Sequence, residues 1–138
     1  MPFFDSDEQI TEKTGRTPAE IIKSDGEAAF RKTESETIRE LSAETHVIIA
    51  TGGGAVTVKE NALSLKSNGR IYFIDRPLDM LTVTPDRPLS SSIKALKTVY
   101  ENRIDLYRGT ADIIVKNDTD INTVCERIRK DFYENFSC

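Results

Sequence analysis

Two carboxylates near the start of the chain have the spacing expected for chemistry on a phosphate or a sugar-like hydroxyl group. Asp5 and Asp7 follow the apolar pair Phe3-Phe4 and are separated by one residue. One carboxylate can support a metal ion that binds phosphate, while the other orients or deprotonates a hydroxyl group. Either aspartate can instead cap the first turn of a helix. The pair therefore predicts a site but leaves the capping interpretation open.

Three consecutive glycines form a second candidate. Gly52, Gly53 and Gly54 follow Thr51, the residue after the apolar run at 47–50. Without Cβ atoms, this backbone can approach a ligand closely and offer amide donors. A simple tight turn is the alternative. The triplet does not match G-x-G-x-x-G at the start of a helix, which disfavours an enzyme that uses a nicotinamide cofactor.

Arg103 is the arginine whose position is most informative. It lies between Tyr100 and Tyr107 at the edge of an apolar helical stripe. Arginine is rarely buried without a partner, so this position makes Arg103 a candidate functional residue. The alternatives are an arginine whose head reaches solvent, or a surface pair with Glu101 or Asp105.

Two further arginines indicate little by themselves. Arg31 lies among Glu27, Glu34 and Glu36, at spacings typical of ion pairs on a helix surface. Arg87 lies in a proline-flanked polar stretch, where a lone arginine is usually solvated.

Alternating strands and helices position these residues. The sequence predicts strands at about 2–4, 47–50, 70–74 and 111–115, and helices at about 8–14, 17–24, 27–43, 58–67, 93–107 and 121–136. This order predicts an α/β fold with a parallel sheet covered by helices on both faces, and the run at 47–50 predicts a strand buried on both faces. Ligands bind at the carboxyl ends of such strands, where the aspartates and the glycines lie.

Composition excludes several classes of function. The 138 residues suit one globular domain, and the net charge of −4 with scattered basic residues gives no footprint for nucleic acid or anionic lipid. The longest apolar run is far too short to span a membrane, so we expect a cytoplasmic protein. The two cysteines lack C-x-x-C spacing, which argues against a zinc site or a disulfide framework.

Five segments together resemble the successive signature segments of the shikimate kinases, which have a P-loop fold like that of nucleoside-monophosphate kinases. They occur in the family's order and at nearly its spacing, over essentially the whole chain. The resemblance implies a transfer of the ATP γ-phosphate to the 3-hydroxyl of shikimate, with Mg²⁺, in aromatic amino acid precursor biosynthesis. The segments are Phe3-Phe4-Asp5-Ser6-Asp7, Gly26-Glu27-Ala28-Ala29-Phe30-Arg31, Thr51-Gly52-Gly53-Gly54-Ala55, Asp86-Arg87-Pro88-Leu89 and Arg103-Ile104-Asp105-Leu106-Tyr107.

The resemblance implies a role for each candidate residue. Arg31 and Arg103 would hold the shikimate carboxylate, an interaction for which bidentate arginine is well suited. Asp7 and the backbone of the glycine triplet, Gly52 to Gly54, would hold the hydroxyl groups, and Asp7 would also orient or deprotonate the attacking hydroxyl.

Three further roles follow from the same resemblance. Asp5 would support the magnesium shell, and Phe30 would form part of the pocket wall. Arg87, in a mobile lid at about residues 82–92, would neutralise charge on the transferring phosphoryl group.

One family feature is not found among these residues. Family members begin with a strand and a GxxxxGK[ST] loop that holds the ATP phosphates, and no glycine in this sequence is followed by lysine. We therefore expect one domain over residues 1–138, truncated at its N-terminus, without the central first strand. ATP binding would need a missing N-terminal segment or a complementing chain. The alternative function is a non-catalytic shikimate-binding or regulatory module that has lost the nucleotide-binding loop.

Overall fold

The structure is a computed structural model that describes residues 1–81 and 92–136. The chain divides into two compact units, Met1–Gly69 and Arg70–Cys138. The predicted lid at about 82–92 lies, except for Ser92, outside the described residues, and Arg87 lies there with it.

The first unit contains two strands and four helices. The strands are β1 (Phe3–Asp5) and β2 (Ile48–Ala50), and the helices are α1 (Ser6–Thr14), α2 (Pro18–Asp25), α3 (Glu27–Ser42) and α4 (Lys59–Asn68), with a 3₁₀ turn at Ala55–Thr57. The two strands pair in parallel, with Asp5 opposite Ala50 at their carboxyl ends. This register brings the residues after β1 close to those after β2.

Local sequence chemistry sets the helix ends in this unit. The Asp5 side chain accepts bonds from the backbone amides of Asp7 and Glu8 at the start of α1, and Gly15 ends that helix at φ 72°. The Thr17 side chain caps α2, whose first residue is proline. Each of these ends uses a residue type that the position favours.

The core of the first unit is formed by one face of α3 together with α1 and α2. Ile10, Ile21 and Phe30 pack together and are almost fully buried. Along α3, residues at three- and four-residue steps are buried, and one of them is charged: Phe30, Glu34, Thr37, Ile38 and Leu41. A glutamate therefore lies within the core-facing stripe of this helix.

Strand β2 differs from the prediction in one respect. The sequence predicts a strand buried on both faces, yet Ile48 is 51% exposed. Within the described residues β2 pairs with β1 and with no other strand. A strand with one neighbour leaves part of its apolar surface in solvent, so the prediction of full burial was wrong.

The second unit contains a second parallel strand pair. Its elements are β3 (Tyr72–Asp75), a 3₁₀ turn at Leu78–Met80, α5 (Ile93–Thr110), β4 (Ile113–Lys116) and α6 (Ile121–Asn135). Tyr72 lies opposite Ile113, and Asp75 lies opposite Lys116. None of the helices in the described part of the chain has the length and hydrophobicity needed to cross a membrane.

A polar cluster fastens α6 to β3. Asp131 accepts hydrogen bonds from Arg70 Nε at 2.7 Å and from the Tyr72 hydroxyl at 2.7 Å. The bond from Arg70 lowers the pKa of Asp131. Burial, and then the bond to Asp131, raise the pKa of Tyr72 to about 12.

Candidate functional site

The carboxyl ends of β1 and β2 bring an aspartate, a glutamate and the glycine triplet together. A methyl group added to Gly52 would lie 3.7 Å from both carboxylate oxygens of Asp7 and 3.7 Å from Oε2 of Glu34. Asp7 is in the first turn of α1, and Glu34 is in the middle of α3. Two carboxylates therefore face the same side of the glycine triplet.

Arg31 lies against another glycine of the same loop. A Cβ atom added to Gly54 would overlap the guanidinium group of Arg31, so the absence of a side chain at Gly54 permits this close approach. Arg31 Nη1 donates to Glu34 Oε1 at 2.7 Å, and Nη2 donates to Glu27 Oε1 at 3.4 Å. The guanidinium carbon also lies 5.1 Å from the centre of the Phe30 ring. Arg31 is thus held from several sides.

This pairing is not the surface pairing that the sequence predicts. The spacing of Arg31 and Glu34 predicts a solvated ion pair, but their side chains are 15% and 1% exposed. Glutamate is almost never fully buried without a partner, and Arg31 is a partner that Glu34 has here. The available signal was its place on the buried stripe of α3, in step with Phe30 and Ile38.

The glycine triplet forms a tight turn as well as a close approach. The Ala55 amide donates to Gly52 O at 3.2 Å, and the Thr57 amide donates to Gly54 O at 3.1 Å. The Thr57 hydroxyl donates to Gly54 O at 2.6 Å, and Asn61 Nδ2 donates to Ala55 O at 2.9 Å. The tight-turn interpretation is therefore confirmed, while the approach of a ligand to this backbone stays a prediction. Sequence reasoning missed Thr57 and Asn61, because nothing in their spacing marks a bond to a loop.

Asp5 has the capping role that the sequence left open. Its Oδ1 accepts the amide of Asp7 at 2.8 Å and that of Glu8 at 3.4 Å. Mg²⁺ often takes only one or two carboxylates and binds phosphate and water for the rest. Within residues 1–81 and 92–136 there is no group of three or more acidic, histidine or cysteine side chains able to hold a metal ion. The structure thus shows Asp5 as a helix cap, and its role toward Mg²⁺ stays a prediction.

The described residues do not fit the phosphates of ATP. Such phosphates bind in a glycine-rich loop followed by lysine, and no glycine among the 138 residues precedes a lysine. The cluster of Arg31, Asp7 and the glycine triplet instead fits a small ligand that carries a carboxylate and hydroxyl groups.

Arg103 lies in the second unit, on α5, and is partly buried. Its side chain makes no hydrogen bond or ion pair among the described residues, and Glu101 pairs with Lys97 at 3.9 Å. The surface pairs with Glu101 and Asp105 that the sequence left open are therefore not formed.

Comparisons with known proteins agree on one family. The shikimate kinase family model matches residues 1–133. A curated shikimate kinase from Clostridium botulinum (strain Alaska E43 / Type E3) is 39% identical over 139 residues, which cover 98% of this chain and 84% of that relative. The shikimate kinase from Aquifex aeolicus (strain VF5) is 34% identical over 133 residues, covering 93% of this chain and 79% of that relative.

Solved structures give the same result. A shikimate kinase from Acinetobacter baumannii in complex with shikimate matches with a TM-score of 0.88 and 26% identity, covering 99% of this chain and 81% of that one. The crystal structure of the Aquifex aeolicus enzyme matches with a TM-score of 0.82 and 34% identity, covering 98% and 83%. These matches confirm the predicted α/β fold of the P-loop kinase type. The chain belongs to the shikimate kinase family, a family of phosphotransferases.

Proposed function

We propose that this chain binds shikimate in its first unit and takes part in the ATP-dependent phosphorylation of the shikimate 3-hydroxyl. The observation that carries the proposal is the guanidinium group of Arg31, held by a buried glutamate beside the glycine triplet, with Asp7 at the same loop. The structure of the Acinetobacter baumannii relative in complex with shikimate supports the same substrate. We place this step in aromatic amino acid precursor biosynthesis, in the cytoplasm.

Arg31 suits the carboxylate of the substrate. A guanidinium group carries five N–H donors in a rigid fork, and Glu34 and Glu27 account for one bond each. The fork can therefore also bind a ligand carboxylate. Phe30, whose ring lies beside the guanidinium group, would form part of the pocket wall.

Asp7 would act on the hydroxyl group of the substrate. A carboxylate next to a bound hydroxyl can orient it for in-line attack and accept its proton, while the new P–O bond to the γ-phosphorus would form and the bond to the leaving ADP would break. The glycine triplet would bring backbone groups within reach of the other hydroxyls, because no side chain intervenes.

The remaining assignments rest on the resemblance. We propose that Arg103 is a substrate-binding residue, that Asp5 supports the magnesium shell, and that Arg87 acts on the transferring phosphoryl group. ATP would supply that group, and Mg²⁺ would offset its charge. Because the described residues do not fit the ATP phosphates, an N-terminal segment or a complementing chain would supply the phosphate-binding loop, and residues 1–138 would form most of one domain.

Shikimate titration by calorimetry tests the acceptor site. We expect the chain to bind shikimate, and Arg31→Ala to weaken binding by about 2–5 kcal/mol, since one partner of a charged pair is lost. Arg39→Ala is the matched control, because Arg39 is an exposed arginine on the same helix. If Arg31→Ala and Arg39→Ala bound shikimate equally well, the carboxylate assignment would be wrong.

A second candidate function is a shikimate-binding module without catalysis, because residues 1–138 hold the candidate substrate residues and contain no GxxxxGK[ST] sequence. A coupled assay for ADP release separates the two candidates. The chain is assayed with ATP, Mg²⁺ and shikimate, alone and after fusion to a strand and GxxxxGK[ST] loop. Turnover by the fusion that Asp7→Asn abolishes would support the kinase. Shikimate binding without turnover in either protein would favour the module.

A further inference from the structure

The buried side chain of Asn61 bonds to the residue that follows the glycine triplet. The side chain of Asn61, in the first turn of α4, is 2% exposed. Its amide donates to the carbonyl of Ala55 at 2.9 Å, a bond that is itself buried. The Asn61 backbone amide donates to Val58 O at 3.0 Å. Asn61 therefore joins the start of α4 to the residue that directly follows Gly54.

The direction of these bonds determines which way the loop faces. Ala55 O accepts from Asn61 and, at a longer 3.3 Å, from the Val58 amide. Gly54 O accepts from the hydroxyl and the amide of Thr57. In a trans peptide unit the N–H points opposite to the C=O. Fixing Ala55 O toward Asn61 and Gly54 O toward Thr57 therefore fixes the orientation of the peptide units that follow Gly54 and Ala55.

The loop that these bonds hold lies against Arg31. The buried backbone of Gly54 forms the surface against which the guanidinium group of Arg31 packs. A shift of this loop toward α3 would push Arg31 away from Glu34, and a shift in the other direction would leave Arg31 without that wall. A site of this kind needs its supporting contacts to hold it to within about 0.5 Å.

We infer that Asn61 is a positioning residue for the ligand carboxylate, acting through Ala55 and Gly54 on Arg31 without touching the ligand. This inference rests on the proposed binding of shikimate in the first unit. It adds a residue that lies outside the five segments of the family resemblance.

Two variants of Asn61 test this role. Asn61→Asp keeps the size of the side chain and removes the N–H donor, while Asn61→Ala removes the whole contact. We expect both to lower the affinity of the full chain for shikimate in calorimetry, by about fivefold or more, and a tenfold loss corresponds to about 1.4 kcal/mol. If the alanine variant fails to fold, Asn61→Asp still tests the role of the N–H donor.

Asn68 supplies the control. It lies on the same helix, and its side-chain amide also donates to backbone carbonyls, those of Glu44 at 2.9 Å and Ser42 at 3.4 Å. These bonds tie α4 to the end of α3 and not to the glycine triplet. Asn68→Ala should therefore leave shikimate affinity unchanged within twofold, whatever its effect on the melting temperature. Equal losses of affinity in the Asn61 and Asn68 variants would overturn the inference.

Hydrogen exchange in the ligand-free chain separates this inference from the proposed function. Asn61→Asp should accelerate exchange of the Ala55 and Thr57 amides by about tenfold relative to the parent, and Asn68→Ala should not. If the parent chain binds no shikimate, the proposed function fails. Accelerated amide exchange in Asn61→Asp would still show that Asn61 fixes the conformation of the loop. Unchanged exchange together with unchanged affinity would show that Asn61 does not position the site.

Discussion

Replacement of Gly54 by alanine tests how closely the loop and Arg31 fit each other. The added methyl group would overlap the guanidinium group, so one of the two must move. Gly54 has φ −84° and ψ −9°, a conformation that alanine adopts without strain. The backbone therefore has no reason to change, and the flexible side chain of Arg31 should be displaced.

The size of the effect follows from what Arg31 leaves behind. Glu34 is 1% exposed and accepts from Arg31 at 2.7 Å, and weakening a buried charged bond costs about 1–3 kcal/mol. The lower entropy of alanine in the unfolded chain offsets about 0.4–1 kcal/mol of this. We expect a net loss of about 1–2 kcal/mol in the free energy of unfolding, and at least tenfold weaker shikimate binding.

Urea denaturation and calorimetry measure both quantities. Gly52→Ala is the nearest control, because its methyl group would make ordinary 3.7 Å contacts, so its free energy of unfolding should stay close to that of the parent. Gly109→Ala on α5 would meet nothing within 4 Å and should gain about 0.5–1 kcal/mol from helix propensity. Parent-like stability and affinity in Gly54→Ala would refute the proposed contact between the loop and Arg31.

Three further predictions concern stability. Asp131→Asn should destabilise the chain at neutral pH. The difference in stability between the variant and the parent should shrink below about pH 4, because Arg70 lowers the pKa of Asp131 and the stabilising effect of the carboxylate is lost as pH falls. Urea titrations at pH 3 and pH 7 compare the two proteins. Tyr72, with its pKa raised to about 12, should stabilise the native state below about pH 10 and lose this effect as the pH rises toward 12. This prediction would be contradicted if the melting temperature of the parent chain fell no more at alkaline pH than that of Tyr72→Phe. His46 has φ 57°, so His46→Gly should raise the free energy of unfolding by about 0.5 kcal/mol. The neighbouring Thr45→Gly, at negative φ, should lower it. Two changes of the same sign in urea denaturation would show that strain at His46 is negligible.

Much of the fold was predictable because its signals are local. Gly15 and the Thr17-Pro18 pair set helix ends through bonds between residues close in sequence. The start of β3 was less predictable. The sequence predicts this strand from residue 70, but Arg70 bonds to Asp131, and the Ile71 amide donates to the Asp112 side chain at 2.7 Å. The regular strand therefore begins at Tyr72.

Prediction of the site from the sequence was limited in the same way, by contacts between residues distant in sequence. The family resemblance picked out Arg31, Asp7 and the glycine triplet, and the structure brings these residues together in the first unit. Their roles in binding and catalysis stay predictions. Glu34 and Asn61 were missed as parts of the site, because their importance depends on burial and on contacts with a loop that residue spacing does not reveal.

The strand register also has a consequence for how the chain folds. Phe3 pairs with Ile48 and Tyr72 pairs with Ile113, partners that are about 45 and about 41 residues apart in sequence. Closing loops of this length loses chain entropy before any strand contact forms, which slows folding. Helices α1 to α3 and α5 need no such closure and can form within microseconds. The slow step in each half of the chain should therefore be the meeting of its two strands, so that a substitution in β1 or β2 changes the folding rate of the first half more than one in α2.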